Sequence, residues 1–83
     1  MKLVLLTQPN CSGCELLKQK LDREGLLEET EKVDVSIDRK AIEKYAIMST
    51  PVLVLEDEDS EVARVIGYTP KQEQDVDDLI QYI

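Results

Sequence analysis

The stretch TQPNCSGCELLKQKLD, from Thr7 to Asp22, contains both cysteines of the chain, three positions apart at the start of a predicted helix. Cys11 and Cys14 admit three interpretations, which are a redox pair, half of a metal site, and two small core residues. The chain contains no histidine, which excludes cysteine–histidine catalysis and mixed cysteine–histidine zinc sites. A four-cysteine site shared by two copies of the chain stays open, as does the unusual set of two cysteines and two carboxylates.

The charge and length of the chain limit its partners. Its 83 residues include 18 Asp and Glu against 10 Lys and Arg, a net charge of −8, which opposes binding to nucleic acid or to an anionic membrane. The length allows one domain, residues 1–83, with a modest core. The apolar run Leu3–Leu6 is too short for an export signal, and no segment reaches membrane-spanning length. We therefore expect a cytoplasmic monomer, in which a lone cysteine pair indicates catalysis, redox sensing or metal binding.

Two short apolar segments predict the first strands. LVLLT, at Leu3–Thr7, is continuously apolar, as expected for a central strand covered on both faces. KVDVSID, at Lys32–Asp38, places Val33, Val35 and Ile37 on one face of a half-buried strand. We expect these two strands to be parallel, because a helix separates them.

That helix has a recognisable stripe and stop. In CELLKQKLDREG, Cys14, Leu17 and Leu21 recur at helical spacing, and Leu16 widens the stripe. Gly25 supplies the left-handed residue that ends a helix. The pattern predicts that Cys14 faces the core.

The second half of the chain predicts a short helix, a hairpin and a final helix, which completes the order βαβαββα. The short helix spans Asp38–Tyr45, and the strands TPVLVLE and EVARVIGY flank the acidic loop EDEDS. The short loop makes those strands antiparallel. The final helix begins with the capping box of Thr69, Pro70 and Gln72. Its predicted buried stripe consists of Val76, Leu79, Ile80 and Ile83.

The cysteine spacing suits reversible disulfide chemistry. Residues at i and i+3 of a helical turn have Cβ atoms about 5–6 Å apart, close enough for a disulfide with little backbone movement. Cys11, at the helix N-terminus, lies near unsatisfied N–H groups that favour the thiolate. Cys14, on the buried stripe, is shielded and suited to resolve a mixed disulfide. Ser12 and Gly13 keep the loop between the two cysteines small.

These features together resemble the thioredoxin fold. AIEKYAIMSTPVLVLED is similar to the segment of thioredoxins that leads into their cis-proline, and EVARVIGYTPKQEQDVDDLI is similar to their final hairpin and helix. The size is similar to glutaredoxins and to small glutaredoxin-like proteins that behave as thioredoxins. The resemblance implies an α/β domain with a four-stranded mixed sheet and three helices. It also implies a cis Thr50–Pro51 bond, with the backbone of Thr50 pairing with an extended substrate.

The chain departs from both families at specific positions. Typical thioredoxins carry a buried acid where this chain has Leu5. Typical glutaredoxins carry a lysine at the position of Gln8, an aromatic residue at that of Gly13, and a Gly-Gly followed by an acid where this chain has GYTP. We therefore expect no bound cofactor, and electrons from NADPH through a thioredoxin reductase-type flavoenzyme rather than from glutathione.

The sequence predicts a thiol–disulfide oxidoreductase that reduces protein disulfides, with Cys11 as nucleophile and Cys14 as resolving thiol. Glu15, at i+4 from Cys11, is the candidate for proton transfer. The alternatives are a glutathione-dependent glutaredoxin, a non-enzymatic binding module and a dimer-bridging four-cysteine metal site. No metal ligand is predicted within one chain, and the expected substrate-binding residues are Thr50, Pro51, Ser12 and Gly13.

Overall fold

The computed structural model describes all 83 residues. Its strands are β1 at Lys2–Thr7, β2 at Glu31–Asp34, β3 at Val52–Asp57 and β4 at Ser60–Ile66, and they form one mixed sheet in the order β2-β1-β3-β4. The central strand β1 is parallel to β2 and antiparallel to β3, which is antiparallel to β4. The predicted order βαβαββα and the mixed sheet are confirmed.

Three α-helices cover the sheet: α1 at Ser12–Arg23, α2 at Lys40–Tyr45 and α3 at Glu73–Ile80. A 3₁₀ turn at Pro70–Gln72 leads into α3, and the predicted capping box is present there. The predicted stop of α1 is confirmed, because Gly25 has a φ of 72° and its N–H donates to the carbonyl of Asp22 at 3.0 Å. None of the helices combines the length and the apolar character that a membrane span requires.

The sheet separates two apolar clusters, and β1 contributes to both. Its alternate residues point to opposite faces, which explains why the run from Leu3 to Leu6 is apolar without a break. The face covered by α1 and α3 contains Leu3, Leu5, Leu17, Leu21, Leu53, Leu55, Val65, Tyr68, Val76 and Leu79. The face covered by α2 contains Val4, Leu6, Val35, Ala41, Tyr45, Ile47, Val52 and Val54.

Strand β2 is shorter than predicted, and the placement of Ile37 on its buried face is wrong. The carboxylate of Asp34 accepts hydrogen bonds from the backbone N–H of Ser36 at 2.9 Å and from its hydroxyl at 2.5 Å. This local turn competes with the sheet ladder and ends the strand. The side chain of Ile37 is consequently 83% exposed.

The placement of Leu16 on the buried stripe of α1 and of Ile83 on that of α3 is also wrong. Leu16 is 41% exposed, and the side of α1 that faces α3 is completed by Lys20, a buried residue. Ile83 is 57% exposed, because α3 ends at Ile80 and the remaining residues turn away from the core.

Lys20 joins α1 to α3 through ion pairs. Its side chain is 4% exposed, and its Nζ lies 2.7 Å from Asp77 Oδ1, 2.9 Å from Glu24 Oε1 and 3.4 Å from Glu73 Oε1. Hydrogen bonding to Asp77, and then to Glu24, raises the pKa of Lys20 well above its ordinary value and outweighs the opposing effect of burial. The charge is therefore retained inside the helix interface.

The β3–β4 hairpin lies at the opposite end of the sheet from the cysteine pair. Glu58 and Asp59 form its two-residue turn with φ values of 50° and 67°, the geometry that suits a tight hairpin. Lys2, at the start of β1, pairs in register with Glu56, next to this turn, whereas the cysteines follow the end of β1. The acidic tip of the hairpin is thus remote from the cysteine pair.

Candidate active site

Cys11 caps the N-terminus of α1 with its sulfur. Its backbone is extended, with a φ of −114° and a ψ of 104°, and its Sγ accepts a hydrogen bond from the N–H of Cys14 at 3.1 Å. Asn10, immediately before it, has a left-handed φ of 58°, which asparagine tolerates better than most residues. This turn brings the chain from β1 into the helix, so that the sulfur occupies the position that a serine or aspartate oxygen takes in ordinary helices.

The two sulfurs form a disulfide in the structure, and they differ in accessibility. Their Cα atoms lie 5.2 Å apart, within the range that a disulfide requires. Cys14 is 1% exposed, whereas Cys11 is only half-buried. An incoming thiol or disulfide therefore has access to Cys11 and not to Cys14.

The loop before β3 closes over the cysteine pair. The Thr50–Pro51 bond is cis, and the hydroxyl of Thr50 donates to Cys11 Sγ at 3.6 Å. Pro51 is buried, and its carbonyl accepts a hydrogen bond from the N–H of Gly67 at 2.8 Å. The fold thus brings Thr50 and the cysteines, which are far apart in the chain, together at one end of the sheet.

Position 13 requires glycine because neighbouring atoms leave no room for a side chain. A Cβ at this position would lie 3.1 Å from Cδ of Pro51 and 3.2 Å from the carbonyl oxygen of Tyr68. Both contacts are tighter than ordinary van der Waals distances. Ser12, its neighbour, is exposed. The side chain missing at Gly13 therefore allows Pro51 and the loop after β4 to pack against the start of α1.

A polar recess of about 520 Å³ adjoins Cys11. Lys18 Nζ lies 3.5 Å from Glu15 Oε1 within it. Hydrogen bonds from the side chain and backbone of Ser36 hold the pKa of Asp34 below its ordinary value. Sequence reasoning missed the contribution of Asp34, because the parallel pairing of β2 with β1 is what brings it beside the cysteine. The residues that give the recess its character are Gln8, Asn10, Cys11, Glu15, Lys18 and Asp34.

Glu15, the predicted proton-transfer residue, lies at the rim of the recess. Its side chain is 69% exposed, and its carboxylate pairs with Lys18. Leu5 is fully buried, and the buried polar side chains of the chain are Thr7, Lys20 and Thr30. No buried carboxyl group therefore accompanies Cys14, and the role of Glu15 stays a prediction. The structure also brings together no group of three or more His, Cys, Asp or Glu residues that could hold a metal ion.

Comparison with known proteins identifies the family. The family model described as Glutaredoxin-like domain (DUF836) matches residues 2–83. The chain belongs to this glutaredoxin-like family. A relative in Bacillus subtilis (strain 168), the SPbeta prophage-derived thioredoxin-like protein YosR, is 32% identical over 82 residues, which cover 98% of this chain and 96% of the relative.

Solved thioredoxins share the fold of this glutaredoxin-like chain. Fasciola hepatica thioredoxin is 25% identical with a TM-score of 0.79, over 96% of this chain and 77% of that one. Plasmodium falciparum thioredoxin is 20% identical with a TM-score of 0.81, over 98% of this chain and 83% of that one. Together with the Cys11–Cys14 pair at disulfide distance, the fold and the family support a thiol–disulfide redox role.

Proposed function

We propose that this protein reduces disulfides in other proteins by passing two electrons from the Cys11–Cys14 dithiol. The observation that carries the proposal is the asymmetry of the pair, with one accessible sulfur at a helix N-terminus and one buried sulfur behind it. An exposed nucleophile and a shielded resolving thiol are the two parts that disulfide exchange needs.

In the reduced protein, Cys11 is the attacking thiolate. The N–H of Cys14 and the hydroxyl of Thr50 already point at its sulfur in the disulfide form. Both donors stabilise negative charge there, and the helix dipole acts in the same direction. The Cys11 thiolate attacks the substrate disulfide, forms a mixed disulfide and releases the first substrate thiolate.

Cys14 completes the reaction by attacking Cys11 Sγ. This step forms the Cys11–Cys14 disulfide, breaks the mixed disulfide and releases the second substrate thiolate, so that the protein loses two electrons and the substrate gains them. The proton of Cys14 passes to solvent or to the departing substrate thiolate, because the core around Cys14 contains no carboxyl group. Glu15, at the rim of the recess, is the nearest sequence neighbour able to accept it.

The loop at Thr50 offers a docking edge for an extended substrate. The N–H and C=O of Thr50 take no part in the backbone hydrogen bonds of the loops and turns. An extended stretch on either side of the substrate cysteine pairs with these groups, which aligns the target sulfur with Cys11. Ser12 and Gly13 leave space for that stretch.

The electron donor in this proposal is NADPH, through a thioredoxin reductase-type flavoenzyme in the cytoplasm. Gln8 and Gly13 replace the lysine and the aromatic residue through which glutaredoxins hold glutathione, and the segment GYTP replaces their third contact. The thioredoxin-like relative YosR is consistent with this choice.

Reduction of insulin disulfides tests the proposal. With NADPH and a thioredoxin reductase, we expect turnover at least about tenfold faster than with NADPH, glutathione and glutathione reductase. The Cys11→Ser, Cys14→Ser double variant is the control, and it should be inactive. Equal rates in the two systems would contradict the proposed donor. Bound zinc in the purified protein together with no reduction of insulin would favour the metal-bridged alternative.

A further inference from the structure

The polar recess adjoins Cys11, the sulfur that a substrate disulfide has to reach. Cys11 lines it, and Cys14 does not. A substrate sulfur in line with Cys11 therefore carries its flanking side chains over Glu15, Lys18 and Asp34. The charges of these side chains act on the substrate at close range.

Two carboxylates face one ammonium in the recess. Lys18 pairs with Glu15 at 3.5 Å, and its charge also attracts the carboxylate of Asp34, so one ammonium is shared by two carboxylates and the recess keeps a net negative charge. Both hydrogen bonds from Ser36 reach Oδ1 of Asp34. The same hydrogen bonds keep the pKa of Asp34 low and its carboxylate ionised at neutral pH.

We propose that this recess makes the protein selective for disulfides whose cysteines are flanked by lysine or arginine. The inference rests on the proposed reductase function and names its substrate class. A basic residue beside the substrate cysteine pairs with the carboxylates of Asp34 and Glu15, whereas an acidic residue at that position is repelled by them. The preference arises in the encounter and alignment of the substrate, before any bond changes.

The recess, rather than the overall charge of −8, produces this preference. The acidic hairpin turn of Glu58 and Asp59, for example, lies at the far end of β1. A strand rises roughly 3.3 Å per residue, which places that turn on the order of 15–20 Å from Cys11. This exceeds the screening length of about 8–10 Å at physiological salt.

Three small disulfides test the proposal in single turnovers. The homodisulfides of acetyl-Lys-Cys-Lys-amide, acetyl-Gln-Cys-Gln-amide and acetyl-Glu-Cys-Glu-amide differ only in flanking charge. The protein, reduced with dithiothreitol and desalted, is mixed with each one and quenched with acid, and the released peptide thiol is measured by chromatography. Each reaction converts one protein dithiol and one peptide disulfide into one protein disulfide and two peptide thiols. Rates are divided by the rate of the same disulfide with dithiothreitol.

We expect the lysine peptide to react about tenfold faster than the glutamate peptide at low ionic strength, with the neutral peptide between them. The ratio should fall to about twofold at 0.5 M salt. Asp34→Asn and Glu15→Gln should each lower the ratio two- to threefold, and Lys18→Gln should raise it. Asparagine at position 34 can still accept the hydrogen bonds of Ser36, so the turn is kept. Comparing ratios cancels any effect of a variant on the reactivity of Cys11 itself.

Asp59→Asn is the matched control, because it makes the same change in net charge at the far hairpin and asparagine accepts the left-handed φ of 67° at that position. It should leave the ratio unchanged. A ratio that falls equally in Asp59→Asn and Asp34→Asn would overturn the inference, as would equal rates for the three peptides. If none of the peptides reacts faster than with dithiothreitol, the proposed reductase function itself fails.

Discussion

The starts of α1 and of the last helix use the same cap position for different purposes. Thr69 caps the last helix with a hydroxyl that accepts from the N–H of Lys71 at 3.3 Å, while Gln72 accepts from the N–H of Thr69 at 3.0 Å. At α1 the cap is the sulfur of Cys11, which accepts from the N–H of Cys14 at 3.1 Å. Both helices therefore begin with one side chain folded over their free N–H groups.

The difference lies three residues after each cap. Gln72 returns a hydrogen bond to the cap backbone and completes a closed, neutral box. Cys14 instead forms a disulfide with the side chain of the cap residue Cys11, and reduction breaks that bond. A threonine box thus stabilises a helix, whereas in the proposed reductase a cysteine pair at the same spacing uses the helix N-terminus to stabilise a reactive anion.

The test with the largest expected effect replaces one cysteine at a time by serine. Cys14→Ser should trap a covalent mixed disulfide with a protein substrate, because the resolving attack is lost, and Cys11→Ser should trap little. We expect insulin reduction to fall at least about a hundredfold in both variants. Non-reducing electrophoresis with mass spectrometry measures the trapped complex. Equal trapping by the two variants would show that the assigned roles are wrong.

The second test concerns the ion pairs through which Lys20 links α1 to α3. Asp77→Ala removes the 2.7 Å partner and leaves the buried ammonium with only its contacts to Glu24 and Glu73, so the free energy of unfolding should fall by about 1–2 kcal/mol in urea titrations. Lys20→Met should cost less, about 0–1 kcal/mol, because the carboxylates left behind reach solvent. A larger loss in Lys20→Met than in Asp77→Ala would contradict this account.

The same ion pairs predict a pH dependence. The pKa of Lys20 in the folded protein is raised above its ordinary value of 10.5. Its stabilisation is therefore complete below about pH 10 and is lost as the pH rises through the folded pKa. The difference in unfolding free energy between the wild type and Lys20→Met should stay constant from about pH 7 to 10 and change only above that range.

The third test, with a smaller expected effect, compares the two cap residues, Thr69 and Cys11. Thr69→Ala should lower the free energy of unfolding by about 1 kcal/mol. Cys11→Ser, measured against the reduced wild type, should change it by less than about 0.5 kcal/mol, because a serine hydroxyl caps a helix as well as a sulfur does. Urea titration with excess reductant provides both values. A loss in Cys11→Ser as large as in Thr69→Ala would mean that the sulfur contributes more than a cap.

The smallest effect concerns the second donor to Cys11. Thr50→Val keeps the shape of the side chain and removes the hydroxyl that lies 3.6 Å from the sulfur. The midpoint pH for alkylation of reduced Cys11 by iodoacetamide should rise by roughly half a unit. Thr50→Ser, which retains the hydroxyl, should behave like the wild type. A midpoint that moves equally in both variants would show that packing, not the hydrogen bond, is responsible.

Much of the fold was predictable because its signals are local. The capping box at Thr69, the helix stop at Gly25 and the hairpin around EDEDS each depend on a few neighbouring residues. The errors at Leu16, Ile37 and Ile83 have the opposite character, because all three are apolar residues at plausible spacing that the structure leaves exposed. Whether such a residue is buried depends on which element packs over it, and hydrophobic spacing contains no such information.

The candidate site divides in the same way. The order of Cys11 before Cys14, their spacing and the helix that follows are properties of one short segment. Three other features of the site are not properties of one segment. They are the contact of Thr50 with Cys11, the packing of Pro51 and Tyr68 against Gly13, and the place of Asp34 in the recess. They arise from chain segments that β-pairing brings to one end of the sheet.

The sequence by itself determined the element order, the spacing of the two cysteines and which of them starts the helix, since each follows from backbone geometry over a few residues. Only the tertiary structure decided that Lys20 is buried among carboxylates and that Asp34 lies beside Cys11. Charged side chains are tolerated in the core or aligned around a sulfur only when distant partners compensate them. Those partners are chosen by the packing of the whole sheet and its helices, which no single stretch of the chain contains.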